Sequence, residues 1–284
     1  MNPKSKLVSA VDIGSSKITT LVAQVTTDQA TLDSTVSIVG VSQVPSKGVK
    51  KGQIVNIEES VDSTINSVEA AERMAGYNLT DAYISVGGGH IESLNSTGVV
   101  AVSDPHGEIS HEDVDRVIDA AKAISLPTSR EIIHVIPRQF IVDGESGIKD
   151  PVGMSGVRLE VETHLVTASS AALKNLTKSV NEVGINIQEL VFSGLASSFA
   201  VLSDTEKELG CVLIDIGGGT TSIAAFVDGA LAYSGTLPIG AKNVTNDLAI
   251  GLRVQLDPAE TIKLALSQPK SKEDAKTDTI DIMD

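Results

Sequence analysis

Short runs of apolar and β-branched residues alternate along this chain with amphipathic helical stretches, a pattern that indicates an α/β fold. Near the N-terminus the pattern predicts a meander of three strands, at Leu7–Ile13, Ile18–Val25 and Val36–Ser42. A helix from about Glu58 to Ala75 follows, and Gly76 is a suitable residue to end it. Its predicted apolar face consists of Val61, Ile65, Val68 and Ala75. The first block is therefore predicted to be a sheet covered by a helix.

A second block, from about Ala82 to Val166, has its own arrangement of strands and one helix. The predicted strands lie near Ala82–Val86, Thr97–Val102 and Ile132–Val142. The helix starts at Ser110, where Asp113 can complete a capping box, and Pro127 is expected to end it. We interpret this block as a small inserted module with a core of its own.

The last part of the chain repeats the strand, loop and strand order of the first block. The predicted elements are a strand at Val161–Thr167, a helix closed by Gly184, a strand at Ile187–Val191, a helix around Leu195–Leu202, a hairpin at Cys211–Val227 and a strand at Ala230–Leu237. Asp228-Gly229 provides the turn before the last strand. The chain therefore contains the same local motif twice.

Each copy of this motif places one aspartate at the end of an apolar strand and follows it with small residues rich in hydrogen-bond donors. The first copy contains Asp12, Gly14, Ser15, Ser16 and Lys17, and the second contains Asp215, Gly217, Gly218, Gly219, Thr220 and Thr221. Backbone N–H groups of glycine-rich turns and hydroxyl groups can converge on a phosphate chain, and Lys17 adds a positive charge. A strand follows each loop, whereas a Rossmann or P-loop site opens a helix. Two copies together predict a nucleotide cleft, although a single copy is compatible with a plain β-turn.

Asp12 and Asp215 predict a cation in that cleft, because a bare polyphosphate would repel two carboxylates. The candidate is Mg²⁺, which keeps several of its waters and is usually bound through one or two carboxylates and substrate phosphates. The expected role of both aspartates is to hold Mg²⁺ and its waters beside the phosphates of a nucleotide.

Composition excludes several classes of function. The chain has 284 residues, enough for two domains, and a formal net charge of −15, which disfavours nucleic-acid and anionic-membrane binding by the general surface. Aromatic residues make up only 2%, so base stacking is not expected. A lone cysteine, Cys211, excludes an internal disulfide and is expected to enter a buried strand. Neither a signal peptide nor an apolar run of transmembrane length is found.

Other polar motifs are given structural interpretations. Gly87-Gly88-Gly89-His90 lacks a preceding aspartate and a second copy, which favours a β-turn over a third phosphate loop. His134 alternates with apolar neighbours and is expected to be a hydrogen-bonded strand histidine rather than a metal ligand. The histidines show no metal-binding spacing.

The duplicated motif with an insert in one half resembles the actin, Hsp70 and sugar-kinase superfamily. The amino-acid sequence of the insert resembles that of the FtsA family of bacterial cell-division proteins. The segments that carry this resemblance are Tyr83–His90, His111–Val117, His134–Pro137, Asp150–Val161, Leu195–Ser198, Pro238–Gly240 and Asn246–Arg253. The resemblance covers about residues 7 to 266, and the phrase Pro151–Val157 is specific to this family.

The resemblance implies an actin-like (ribonuclease H-like) fold with duplicated ATPase domains and a small α+β insert. It divides the chain into residues 1–81 and 166–188 (subdomain 1A), 82–165 (an SHS2-like insert, 1C), 189–238 (part of subdomain 2A) and 239–284 (the start of subdomain 2B). Gly240, Lys242, Glu260 and Lys263 correspond to positions that line the nucleotide, although charges on a solvated helix are the alternative for the last two.

For function, the resemblance implies an ATP- and Mg²⁺-binding protein that forms filaments through the insert. It would recruit FtsZ and other division proteins to the septum, on the cytoplasmic face of the cell membrane, with no nucleic-acid partner. Membrane attachment would require a C-terminal helix, and this helix and a glycine motif for adenosine lie beyond Asp284 in the family. The polar stretch Lys270–Asp284 cannot replace the anchor, so we expect a C-terminally truncated form.

Two points set expectations for turnover. Ser222 stands where many family members have aspartate, and the segment Ala168-Ser169-Ser170-Ala171 offers no carboxylate to orient a water. Weak ATPase activity is therefore predicted. The alternatives are a related pilus-assembly (PilM-like) ATPase adaptor, a kinase of the same superfamily, and a structural module with an inactive nucleotide site.

Overall fold

The computed structural model describes residues 4–27 and 34–267; the predicted polar stretch 270–284 lies outside these residues. The strands are β1 (Lys4–Ile13), β2 (Lys17–Thr27), β3 (Ser34–Pro45), β4 (Val49–Lys50), β5 (Gln53–Ile54), β6 (Asp81–Val86), β7 (Glu92–Ala101), β8 (Arg130–Val142), β9 (Glu145–Ile148), β10 (Arg158–Ser169), β11 (Asn186–Phe192), β12 (Cys211–Ile216), β13 (Thr221–Val227) and β14 (Ala230–Leu237). The helices are α1 (Ile57–Ala75), α2 (His111–Lys122), α3 (Ser170–Glu182), α4 (Ser193–Val201), α5 (Asp204–Leu209), α6 (Ala241–Leu252) and α7 (Leu256–Ser267).

The first lobe is a five-stranded sheet in the order β11-β6-β1-β2-β3, together with α1 and α3. The predicted antiparallel meander β1-β2-β3 is confirmed, and β6 and β11 extend it on the free edge of β1 as parallel strands. The core side chains include Val11, Ile18 and Val22, which are almost completely buried. All three parallel strands therefore end at the same edge of the sheet.

Helix α1 forms where predicted, but its buried face is different. Asn56 caps its N-terminus by accepting a hydrogen bond from the Glu59 N–H, and Gly76 adopts the left-handed conformation that ends it. The buried side chains are Ser60, Ser63, Thr64, Ser67, Val68 and Ala71, whereas Val61, Ile65 and Ala75 are only partly buried. These hydroxyls can be buried because they bond to each other and to the sheet, as in the 2.8 Å contact between Thr20 Oγ1 and Ser67 Oγ.

The insert is a four-stranded sheet in the order β7-β10-β8-β9, covered by α2. The predicted capping box is present, with Asp113 accepting hydrogen bonds from the backbone and side chain of Ser110. Its own core includes Ile109, Val117 and Leu159. The helix ends at Lys122, before Pro127 is reached.

Three predicted boundaries differ from the observed sheets. The boundary predicted between residues 165 and 166 cuts through β10, which pairs with β7 as far as Thr167 and with β8 as far as Ser169. The strand predicted at Ala82–Val86 was assigned to the insert, but as β6 it pairs with β1 and β11 in the first lobe. The boundary predicted between residues 188 and 189 cuts through β11, which pairs with β6 over its whole length. The strand Ala82–Val86 is misplaced because strand alternation does not reveal which distant strand is the pairing partner.

The second lobe comprises the antiparallel sheet β12-β13-β14 and helices α4 to α7. Its hairpin is confirmed, with Asp215 opposite Ser222 in the register. One face of this sheet packs Ala224, Phe226 and Leu231 into a core shared with Phe192 and Val166. Cys211 begins β12 and is partly buried there.

Candidate functional site: a cleft between two aspartate loops

The first aspartate loop joins β1 to β2 as a tight turn. The Gly14 N–H donates to the Lys17 carbonyl at 3.1 Å, and a Cβ at Gly14 would lie 2.8 Å from that carbonyl oxygen. Glycine is therefore required for the closeness of this turn. Ser15 is buried, and its Oγ accepts a hydrogen bond from the Gly52 N–H at 2.8 Å. The backbone of the loop is thus anchored by residues outside the predicted motif.

The second loop repeats this geometry between β12 and β13. The Gly217 N–H donates to the Thr220 carbonyl at 2.8 Å. Helix α6 is attached to the loop, because the N–H groups of Ala241 and Lys242 donate to the Gly217 and Gly218 carbonyls, each at 2.9 Å. The loop and the start of α6 therefore form one unit.

The two loops face and touch each other. A Cβ at Gly218 would lie 2.6 Å from the Ser16 Cβ, and one at Gly219 would lie 2.9 Å from the Ser15 side chain. Lys242 crosses between the lobes, and its Nζ donates to the Ser15 carbonyl at 2.7 Å. The motifs separated by two hundred residues thus form a single site.

A cavity of about 350 Å³ lies between the loops. Its lining includes most of the predicted residues: Asp12, Gly14, Ser15, Ser16, Lys17, Asp215, Gly217, Gly218 and Thr220. Six predicted residues do not line it: Lys242, Glu260 and Lys263 line a neighbouring cavity, and the other three line neither cavity. Gly219 is buried against Ser15, Thr221 Oγ1 donates to the Ile239 carbonyl, and Gly240 is buried under the second loop. We assign these three a role in shaping the loops.

The two carboxylates in the cavity have different environments. The surrounding protein raises the pKa of Asp12 by reducing hydration of the carboxylate, although water in the open cleft still reaches it. The Ser85 hydroxyl donates to Asp12 and opposes this shift, Asp215 raises the pKa further, and Lys17 lowers it. Asp215 accepts a 2.8 Å hydrogen bond from the Ser197 hydroxyl. Because its charged form is disfavoured, Asp12 gains from any bound cation.

Sequence reasoning missed a polar floor beneath the carboxylates. Ser85 is the second-last residue of β6, Ser193 begins α4, and Ser193 Oγ lies 3.0 Å from Ser222 Oγ. Gly52 and Gly87 also line the cavity. The segment at Gly87 does form the predicted turn, with the Ile91 N–H donating to the Gly88 carbonyl at 3.0 Å. The available signal was the position of Ser85 at the end of an apolar strand, as for Asp12.

A second cavity of about 680 Å³ adjoins the first and shares Ser16, Lys17 and Gly218 with it. Lys242, Glu260 and Lys263 line it. The Lys263 ammonium donates to Glu260 at 2.7 Å, and this hydrogen bond, with one from Thr245, lowers the pKa of Glu260. The three predicted charged residues are therefore brought together beside the loops.

The donor set fits Mg²⁺ held through water. Within residues 4–27 and 34–267, no three metal-ligating side chains lie together, so a cation would have to be completed by waters and by the oxygens of a ligand. Among the described residues, Asp12 and Asp215 are the only ones with carboxylates that line the smaller cavity. This arrangement matches a cation that arrives with a phosphate chain.

His134 has the predicted structural role. Its Nε2 accepts a hydrogen bond from the Phe192 N–H at 2.9 Å, and burial lowers its pKa, so the neutral ring is favoured. None of the described helices combines the length and the apolar character needed to cross a membrane.

Comparison with known proteins identifies the relatives of this chain. Residues 88–167 match the model of the SHS2 domain inserted in FtsA, and residues 212–283 match that of cell division protein FtsA. Over 258 residues the chain is 47% identical to cell division protein FtsA of Borreliella burgdorferi, covering 91% of this chain and 61% of the relative. The FtsA of Bacillus subtilis is 45% identical, with coverages of 92% and 58%. The chain thus spans about 60% of the length of these relatives.

Among solved structures, the type IV pilus biogenesis complex PilM-PilN has a chain with a TM-score of 0.64 and 13% identity, covering 91% of this chain and 69% of that one. At this identity the similarity concerns the fold alone. The predicted actin-like fold with an SHS2 insert is confirmed.

Proposed function

Because the chain belongs to the FtsA family of cell-division proteins, we propose that it binds ATP with Mg²⁺ between its two lobes and uses this binding to control assembly at the division site. The observation that carries this proposal is the contact between the two aspartate loops around one cavity. Gly14 to Lys17 would bind the phosphates from one side, and Gly217 to Thr220 from the other. Asp12 and Asp215 would hold the waters of Mg²⁺.

A bound Mg²⁺ would neutralise phosphate charge and offset the repulsion between the two aspartates. The remaining work falls to the residues of this chain. Lys17 and the loop N–H groups would position the phosphate chain, and Lys242, Glu260 and Lys263 would lie beside the nucleoside. Since Lys242 already links the lobes through the Ser15 carbonyl, a nucleotide in the same place would strengthen their closure.

Slow hydrolysis is part of this proposal. Rapid hydrolysis requires a base or a residue that orients the attacking water. The two carboxylates of the smaller cavity are assigned to Mg²⁺, and the remaining polar side chains there are serines, Thr220 and Lys17. A steady-state ATPase rate comparable to the turnover of sugar kinases would contradict this part.

For the longer protein that the relatives represent, we propose self-association through the insert, recruitment of FtsZ and attachment to the inner face of the cell membrane. Family membership supports these roles. The pilus-adaptor alternative is supported only by the fold similarity to PilM, at 13% identity, whereas the FtsA of Borreliella burgdorferi is 47% identical. Co-sedimentation of this chain with FtsZ polymers tests the partner, and absence of binding would place that surface outside these 284 residues.

The direct test of the site is thermal unfolding with and without Mg-ATP. Ligand at about one hundred times its Kd stabilises a protein by about 2.7 kcal/mol. We expect Asp12→Asn and Asp215→Asn to lose most of this shift and Asp119→Asn, an exposed residue of α2, to keep it. Failure of Mg-ATP to stabilise the unaltered chain would instead favour a structural module with an inactive site.

A further inference from the structure

A separate cavity of about 510 Å³ lies between the insert and the second lobe. One wall is the β8 segment 136–140 of the insert, and the other comes from α4, α5 and the turn between β13 and β14. No residue of this lining belongs to the two cavities beside the aspartate loops. The cavity is therefore independent of the proposed nucleotide site.

Lys207 of α5 contributes a poorly paired positive charge to this cavity. The residue is only 8% exposed, and its Nζ lies 5.0 Å from the centre of the Phe199 ring and 5.8 Å from that of Phe226. The closest carboxylate is that of Asp204, at 3.9 Å, on a fully exposed side chain. Among the described residues, none accepts a hydrogen bond from this ammonium. Two aromatic faces and one exposed ion pair hold this ammonium only weakly, so it can still bind a further anionic group.

Arg138 of β8 brings a second positive charge from the opposite wall. Its Nε is buried and has no hydrogen-bond partner among the described residues. The nearest carboxylate oxygen, on Glu162, is 3.9 Å from its Nη1. A guanidinium with free donors is suited to a carboxylate, which it can bind through two parallel hydrogen bonds. Two domains thus each supply an incompletely paired cation to the same space.

The rest of the cavity defines the other requirements for a ligand. Phe140 and Leu231 provide apolar surface, and Phe199, which is 70% exposed, widens it at the mouth. The rim carries the exposed carboxylates of Asp204, Asp228 and Glu208 against one exposed ammonium, that of Lys149, which pairs with Glu208, so the rim is acidic on balance. A purely anionic ligand would be repelled by this rim and by the net charge of −15. A ligand with a carboxylate, an apolar group and a nearby positive charge complements all three zones.

We propose that this cavity binds a short peptide segment of a partner protein. An acidic side chain of the segment reaches Arg138 and Lys207, an adjacent apolar side chain packs on Phe199, and a basic residue contacts the acidic rim. Such a segment would bridge the insert and the second lobe, so its binding would fix their relative position.

The test uses fluorescein-labelled short peptides in which Glu or Asp lies between Leu or Phe and Lys or Arg, each paired with its Gln or Asn twin. Fluorescence anisotropy measures binding to the unaltered chain. We expect at least one acidic peptide to bind about tenfold more tightly than its amide twin, as for a charge-assisted contact. Lys207→Gln and Arg138→Gln should each abolish this preference. The controls Lys122→Gln and Arg158→Gln, on exposed side chains of the insert, should retain it.

Folding and specificity are checked with the same chain. Lys207→Arg keeps the charge and should restore preference for the acidic peptide, and circular dichroism shows whether each variant is folded. If Lys207→Gln does not fold, Arg138→Gln carries the test, because that side chain is one-quarter exposed. Equal binding of acidic and amide peptides, no binding of any acidic peptide, or displacement of the peptide by Mg-ATP would each refute the proposal.

Discussion

Replacing Gly240 by alanine tests the idea that α6 and the second aspartate loop act as one unit. A Cβ at this position would lie 2.5 Å from the Gly217 carbonyl oxygen and 2.7 Å from backbone atoms of both Gly218 and Gly219. Gly240 has φ of −151°, which alanine adopts without strain. The effect of the substitution is therefore steric, and every contacted atom belongs to the loop backbone.

The size of the effect follows from these distances. Ordinary contact of a Cβ begins at 3.4 Å, so the loop and the start of α6 must separate by about 0.9 Å. That movement would stretch the 2.9 Å bonds from Ala241 and Lys242 to the loop beyond hydrogen-bonding range. Overpacking costs about 1–3 kcal/mol, and each lost hydrogen bond about 1 kcal/mol. With both hydrogen bonds lost, we expect a total loss of about 3–5 kcal/mol, or about 6–20 °C in Tm.

Gly251, on the same helix, provides the matched control. A Cβ there would meet nothing within 4 Å, so Gly251→Ala should stabilise the chain by about 0.5–1 kcal/mol. Thermal unfolding is measured for both variants with and without Mg-ATP. Gly240→Ala should lower Tm and lose most of the nucleotide-induced shift, because a displacement of about 1 Å at a binding loop can cost about 100-fold. A Gly240→Ala variant that melts within 1 °C of the unaltered chain and keeps its full nucleotide shift would refute this reasoning.

Three further substitutions probe the charges. Asp12→Asn should raise the Tm of the ligand-free chain at pH 7. Because the pKa of Asp12 is raised in the folded chain, ionising this carboxyl lowers the free energy of unfolding as pH rises above 3.8. An unchanged or lower Tm would contradict this. Asp113→Ala should cost about 1–2 kcal/mol in urea unfolding through loss of the α2 capping box, and the cost should shrink as pH falls, because the pKa of Asp113 is held low chiefly by hydrogen bonds from Ser110. Burial, with a smaller contribution from Arg138, lowers the pKa of His164 to about 4. The neutral His164 ring therefore contributes fully to the free energy of unfolding above pH 6.5, and this contribution is lost as pH falls toward 4. Urea unfolding at pH 7 and pH 5 should show a loss of about 2 kcal/mol that His164→Gln lacks, and equal losses in both proteins would contradict this assignment.

Local features were predictable from the sequence because short-range chemistry determines them. Both hairpins, the positions of Asp12 and Asp215, the capping box at Ser110 and the end of α1 at Gly76 follow from residue type and spacing alone. The duplicated motif and the sequence of the insert also predict the actin-like fold. Each of these sequence signals lies within one helix, strand or turn, or consists of a motif that occurs twice in the chain.

Features that depend on distant partners were not predictable. The membership of β6 in the first sheet depends on its parallel pairing with β1, from Ala10 to Val11 against Tyr83 to Ile84. The buried face of α1 was missed because its serines and threonines are polar by type but satisfied by contacts such as that between Ser60 and Ser179. Hydrophobic periodicity does not detect a buried face of hydroxyl groups.

The polar floor of the cleft follows from where the parallel strands end. Strands β1, β6 and β11 run in the same direction. Asp12 and Ser85 each lie one residue before the end of their strand, and Ser193 directly follows β11. Ligands of open α/β sheets bind at the carboxyl ends of such strands. The second lobe supplies Asp215 from one strand of an antiparallel hairpin, so its serine partner, Ser197, has to come from α4. Two nearly identical motifs thus lie in different surroundings. As a result, the charged form of Asp12 depends on a bound cation to a degree that the duplicated sequence does not reveal.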